Sequence, residues 1–305
     1  YEDLKRENKS RDKTQDEYEL IDTGVFDDDK YFDVFIEYAK ADFDDICIKI
    51  TAHNRGKETA PLHILPTVWF RNTWVWTNDA EKPRMRKIDT DSDDVLAISI
   101  TDKDRGEYTL YCSESSDLLF TENETNFKAL YGSENDSKYT KDGIGDYLVN
   151  GNQDAVSTEK GTLASANYEF EIEGGESKTV YLRLKGGKLN RGDAETRREK
   201  DGSEQKNPEK TLAALRLSDE EFVRDCQKIF KNRIKEADEF YAGIIPKNLG
   251  DDEKNVMRQS LAGMLWSKQF YNYSVRDWLK GDEPFPAPPE SRKNGRNSDW
   301  THLYN

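Results

Sequence analysis

The chain has 305 residues, of which 34% are hydrophobic, 35% charged and 11% aromatic, and its formal net charge is -15. That length fits one large domain or two ordinary ones, and a chain so rich in rings can still bury a core, because each ring carries much apolar area. The acidic balance, with no Lys/Arg stripe to offset it, excludes a nucleic-acid partner, and no apolar run of about 18 residues exists to span a membrane.

From residue 17 to about 185 the sequence reads as strand, turn, strand. "YFDVFIEYAK" places Phe32, Val34, Ile36 and Tyr38 on one face, and "ICIKIT" does the same with Ile46, Ile48 and Ile50. In "HILPTVWFRNTWVW" the even positions Leu62, Ile64, Val68, Phe70, Trp74 and Trp76 share a core face, interrupted by Asn72. The odd positions His63, Thr67, Trp69, Arg71 and Thr73 form an amphipathic face, suited to packing on a second domain or to bordering a sugar site. Further strands follow with Leu96, Ile98 and Ile100, then Tyr168, Phe170 and Ile172, then Val180, Leu182 and Leu184. Period-2 alternation against Asp, Glu, Lys or Thr marks half-buried antiparallel strands. Dense turn signals, among them "FDDDKY", "DKDRGE" and "EGGESK", separate them in the rhythm of a large sandwich.

Beyond Leu184 "KGGKLNRGDAETRREKDGSEQKNPEK" is almost free of apolar residues and reads as a solvated, mobile insertion. Ser218 with Glu221 then makes a capping box, followed by Phe222, Cys226, Ile229, Phe230, Ile234 and Ala237 at helical spacing up to Pro246. A second helix opens on Asp251, Asp252 and Glu253, which suit the positive end of the helix dipole. It carries Val256, Leu261, Met264, Leu265 and Trp266, an apolar surface expected to be buried among other helices. Cys47, Cys112 and Cys226 are far apart, with no C-x-x-C pair, and read as buried thiols of a reducing, cytoplasmic compartment. The start at Tyr1 and the stop at "DWTHLYN" both read as cut ends.

Seven phrases occur in order: "YELIDTGVFDDDKYFDVFIEYAKA", "LHILPTVWFRNTW", "LFTENETN", "KDGIGDYLVNG", "EADEFYAGI", "LAGMLWSKQFYNY" and "DWTHLYN". Together they resemble bacterial glucosidase-like proteins related to glycoside hydrolase family 63. The resemblance implies a mainly β fold with C-terminal helices: an antiparallel β super-sandwich over 1–185, a charged insertion over 186–216, a linker helix over 217–246, and the start of an (α/α)6 catalytic barrel over 247–305. It also implies hydrolysis of an α-glucosidic bond with inversion, by one carboxylic acid and one carboxylate base. The family's general acid is an Asp that follows a Trp, and no Trp-Asp dipeptide occurs here. No catalytic residue is therefore carried over, and the fragment alone is expected to be inactive. The implied partners are an oligosaccharide or small α-glucoside and a helical barrel that this chain lacks.

Candidate saccharide contacts are Gln269 and Tyr271 at the end of the second helix, Trp300 and Tyr304 near the last residue, and Asp146 with Tyr147 in "KDGIGDYLVNG". Rings stack on the C–H faces of sugars, and amides and carboxylates bond hydroxyls. Packing between helices is the competing account of the first four. Asp89, Asp91 and Asp93 resemble the start of a calcium loop, but Asp94 stands where that loop needs glycine and Ile100 where it needs glutamate. His53, His63 and His302 lack metal-ligand spacing, and no cofactor motif occurs. The rival reading is a free-standing carbohydrate-binding or scaffolding sandwich without catalysis.

Overall fold

The computed structural model describes residues 1–76, 81–90, 94–113, 117–187, 218–267, 273–281, 287–295 and 298–304. The charged stretch over 188–217 lies outside them, as do Asp91 and Asp93. The chain divides into two compact units, Tyr1–Phe70 with Pro83–Phe230, and Arg71–Lys82 with Lys231–Asn305.

Two antiparallel sheets build the first unit. The larger combines β1 (Phe32–Asp42), β2 (Asp45–Asn54), β5 (Arg84–Ile88), β6 (Val95–Asp102), β7 (Gly106–Ser113), β9 (Lys160–Gly161) and β11 (Ser177–Gly186), in the order β1-β2-β11-β7-β6-β5-β9. The smaller is centred on β10 (Leu163–Ile172), which pairs with β3 (Ala60–Ile64), β4 (Thr67–Trp69) and β8 (Asp117–Thr121). Even-numbered residues of β2, β6, β10 and β11, including Ile50, Ile98, Ile100, Tyr168, Ile172, Val180 and Leu182, meet in one buried cluster with Ile64, Met85, Leu118 and Phe120. The period-2 alternation read from the sequence thus selects the core face.

The opposite face of the larger sheet is also covered. Helix α4 (Asp219–Ile244) buries Phe222, Cys226 and Phe230 against Ala39, Cys47, Val95, Ala97, Tyr111 and Tyr181. Cross-strand register explains the seat: Ala39, Cys47, Arg183, Tyr111, Ala97 and Ile88 are successive partners across six strands. Full burial of a large apolar side chain stabilises by about 1.5–3 kcal/mol, so Phe222 and Phe230 anchor the helix. Its start is the expected box, with the Glu221 N–H donating to Ser218 Oγ at 3.4 Å and the Ser218 N–H to Glu221 Oε2 at 3.2 Å.

The expected fold class is overturned. Helix and strand occupy comparable shares of the described residues, so the chain is mixed rather than mainly β. Helix α1 (Glu2–Ser10), α2 (Phe127–Tyr131) and α3 (Gly143–Asn150) lie within the expected super-sandwich over 1–185, the last two in the part read as strands and turns. Helices of five to nine residues give little periodicity to read; Gly151, at φ 70°, stops α3 and donates its N–H to the Asp146 carbonyl. No helical barrel occurs among the described residues: α5 (Asp251–Trp266) buries none of its side chains, and α6 (Val275–Lys280) follows it. Nor is His63–Trp76 one strand. β3 and β4 are separated at Leu65 and Pro66, and Trp74–Trp76 form a 3-10 turn in the second unit. Proline lacks the N–H that a continuous ladder would use.

In the second unit Arg258 of α5 pairs with Asp238 of α4 at 2.6 Å and lies over the Tyr241 ring. The Gly250 N–H donates to Glu253 Oε2 at 2.7 Å, which closes the N-terminus of α5.

Candidate functional site

The first unit carries a cleft of about 360 Å³ where the hairpin between β1 and β2, strand β4 and strand β7 converge. Its walls include the rings of Phe43, Trp69, Phe70 and Tyr108, with Asp44 and Arg105 as the charged members. Each ring has a local cause. Phe43 sits at the hairpin tip, 66% exposed, where a register irregularity between Lys40 and Asp42 ends the β1–β2 ladder. Trp69 pairs with Leu163 at the end of β4 and stays 57% exposed on the odd face, while its neighbours Val68 and Phe70 turn to the core. Phe70 is held by the Asn123 side-chain amide, which donates to its carbonyl at 2.8 Å. Tyr108 opposes Gly186 across β7 and β11.

Gly186 governs how closely two of the lining residues approach the chain. Its N–H donates to the Asp44 carbonyl at 2.7 Å, and a Cβ there would lie 2.7 Å from the Asp44 Cβ and 3.2 Å from a Tyr108 ring carbon. The chain therefore passes closely beneath both residues, which only a residue without a side chain allows. Arg105 stands over the Phe70 ring at 5.7 Å, and Lys40 over the Phe43 ring at 5.2 Å. These cation–π contacts orient the rings at exposed sites, where each contributes about 0.5–1 kcal/mol.

A second, larger groove of about 500 Å³ adjoins the cleft through Val68 and Leu184. It is lined mainly by aliphatic residues such as Val34, Ile36, Ile48 and Leu62, with Tyr38 as its ring and His63 and Thr67 as its polar members. It offers little to orient a polar ligand, so the smaller aromatic cleft is the better candidate despite its size.

The cleft suits a flat-faced polyol: rings present π-faces to C–H bonds, and a carboxylate and a guanidinium in its lining offer acceptors and donors to hydroxyls. It does not suit hydrolysis. Asp44 is the one carboxylate among its described lining residues, and an inverting pair needs two carboxyl groups roughly 6.5–9.5 Å apart. Among the described residues no group of three or more His, Cys, Asp or Glu side chains could hold a metal ion.

The residues nominated from the sequence fall elsewhere. Asp146 serves its own helix: its carboxylate accepts the Asn150 amide at 2.8 Å and the Asn152 amide at 2.6 Å. Those two hydrogen bonds hold it below the usual carboxylate range. Tyr147 packs against the small core of Leu119, Ile144 and Val156. Trp300 is 54% exposed and stacks on His302, and Tyr304 is 57% exposed, bridged to Ser274 with Arg276 over its ring. Gln269 and Tyr271 lie outside the described residues. The cleft residue legible beforehand is Trp69, on the face read as packing or sugar-bordering. The signal for Phe43 is a lone ring among carboxylates, between Asp42 and Asp44 at a hairpin tip.

No helix among the described residues is long and apolar enough to cross a membrane. No family model matches the chain. Over its whole length it is 35% identical, in an alignment of 340 residues, to the uncharacterized protein YMR196W of Saccharomyces cerevisiae, and it spans 29% of that protein's length.

Proposed function

We propose that this chain is part of a cytoplasmic glycoside hydrolase acting on α-glucosides with inversion, and that its own share of the work is to hold saccharide rather than to cleave it. The observation that carries the reading is the cleft, with four rings around one carboxylate and one guanidinium. The ordered phrases that resemble family 63 supply the sugar class and the stereochemistry. The acid and base then belong to sequence beyond the chain.

The test has two arms. Titration of the chain with maltose and isomaltose, followed by tryptophan fluorescence, is expected to show saturable binding that Trp69→Ala weakens about tenfold or more, the loss of one stacking platform. Hydrolysis of α-linked glucose disaccharides is expected from the natural full-length polypeptide and not from the chain alone. Binding with no hydrolysis in the full-length polypeptide would favour the rival reading, a carbohydrate-binding module. Absence of both would remove the saccharide assignment.

A further inference from the structure

The ringed cleft and the aliphatic groove are two stretches of one trough in the first unit. On β2, Ile46 lines the cleft and Ile48 the groove, consecutive members of one strand face and about 7 Å apart along it. The wall formed by residues 62–70 follows in the same order: Leu62 and Pro66 border the groove, Val68 borders both stretches, and Phe70 borders the cleft. The groove exists because the seven-stranded sheet is wider than the four-stranded one. On β1, the outermost strand, Val34, Ile36 and Tyr38 stand opposite Ala52, Ile50 and Ile48 of β2, hence on the face that builds the core. Ala52 and Ile50 are buried, whereas Val34, Ile36 and Tyr38 are exposed. The core face thus runs on into the open, past the cover of the smaller sheet.

Chemistry changes along the trough. Asp44 and Arg105 stand at the cleft end, and none of the described residues that line the groove is Asp, Glu, Lys or Arg. Two of the groove's polar side chains are turned to other partners: His63 Nδ1 lies 3.1 Å from Asn167 Oδ1, and the Thr67 hydroxyl donates to the Leu65 carbonyl at 2.9 Å. A second sugar ring in the groove would take its hydroxyls out of water and gain few partners, a cost that methylenes do not incur. We infer, on the saccharide reading of the cleft, that the site takes an α-glucoside whose aglycone is an unbranched alkyl chain. The glucose lies among the four rings, and the chain runs between β1 and residues 62–68, past Tyr38 and Ile36 towards Val34. The groove has about 500 Å³ against about 360 Å³ for the cleft, so the larger share of the site is apolar. The amphiphile is held as a single molecule, because a net charge of -15 opposes docking on an anionic lipid surface.

The experiment titrates n-alkyl α-glucosides of two to ten carbons into the full chain by calorimetry, each below its micelle concentration, with maltose and 1-octanol alongside. Affinity is expected to rise about three- to fourfold per added methylene until the groove is full, the factor that burial of one methylene supplies. Ile36→Asp, at an exposed position of an edge strand, should weaken octyl α-glucoside about tenfold or more and leave maltose within about twofold. Trp69→Ala should weaken maltose and octyl α-glucoside alike. Maltose binding with no dependence on chain length would overturn the inference and leave the saccharide reading of the cleft standing. Octanol binding as tightly as octyl α-glucoside, with no maltose binding, would overturn both. A chain-length gain that survives Ile36→Asp would place the alkyl chain elsewhere and overturn the inference as well. If that variant does not fold, the chain-length series on the unsubstituted chain decides alone.

Discussion

Arg183 and Asp146 show how differently charged residues are used here. Arg183 is buried and bonded through three nitrogens, with Asp45 almost as buried and Asp225 less so, their side chains 11% and 43% exposed. Removing one partner from a buried pair leaves an uncompensated charge, which costs about 3–5 kcal/mol, whereas an exposed pair contributes about 0–1 kcal/mol. Arg183→Met is therefore expected to lose several kcal/mol in urea unfolding, and Asp225→Asn less than about 1 kcal/mol. Equal losses would mean that Asp45 does not depend on Arg183. Asp146 works at the surface. Its folded pKa is depressed by the Asn150 and Asn152 amides, so its contribution is present above the unfolded value of about 3.9 and is lost as pH falls through the folded one. Protection of the Gly143–Asn150 amides, measured relative to the pH-dependent intrinsic exchange rate, should fall on acidification below about pH 4. Asp146→Asn should flatten that dependence and leave maltose binding unchanged; a fall in binding would restore Asp146 to the saccharide site.

Among the elements, β11 and β2 show how far alternation reaches. "TVYLRL" and "ICIKIT" gave Val180, Leu182, Ile48 and Ile50 to a core, and those residues belong to it. Alternation leaves Arg183, Asp45 and Cys47 on the opposite face, and α4, which covers that face, comes from sequence well beyond both strands. Alternation within a strand says which residues share a face; it does not say what arrives on the second face. The cleft was hidden for a related reason, since Phe43, Trp69 and Tyr108 come from three elements that register alone brings together. Gly186 tests that assembly. A methyl group there must displace the Asp44 backbone segment or the Tyr108 ring. We expect Gly186→Ala to cost about 1–3 kcal/mol, as overpacking usually does, and to weaken saccharide binding along with stability. Lost stability with full affinity would place the ligand away from the cleft.

Over the whole chain, burial is distributed unevenly, and this was partly visible in advance. Strands β2, β6, β7 and β11 are bonded on both edges, and their residues dominate the two main clusters. By contrast α5 buries none of its side chains: Met264, Leu265 and Trp266 are 75%, 68% and 84% exposed. The apolar pattern of α5 was legible, and its burial among other helices was the expectation that the described residues do not meet. A helix of sixteen residues without a buried face has little beyond its own hydrogen bonds to hold it, because helices of this length are marginal on propensity alone. Local opening energies should therefore range from near zero in α5 to the global value in the central strands. Hydrogen exchange followed by mass spectrometry is expected to exchange Leu261–Trp266 at the earliest times and to protect Asp45–Asn54 and Ser177–Gly186 longest. Adding a longer natural polypeptide that covers Met264 and Trp266 should slow the first group and leave the second unchanged. Slow exchange of Leu261–Trp266 in the isolated chain would mean that α5 is already packed in solution, and that its exposed apolar face needs no further sequence to cover it.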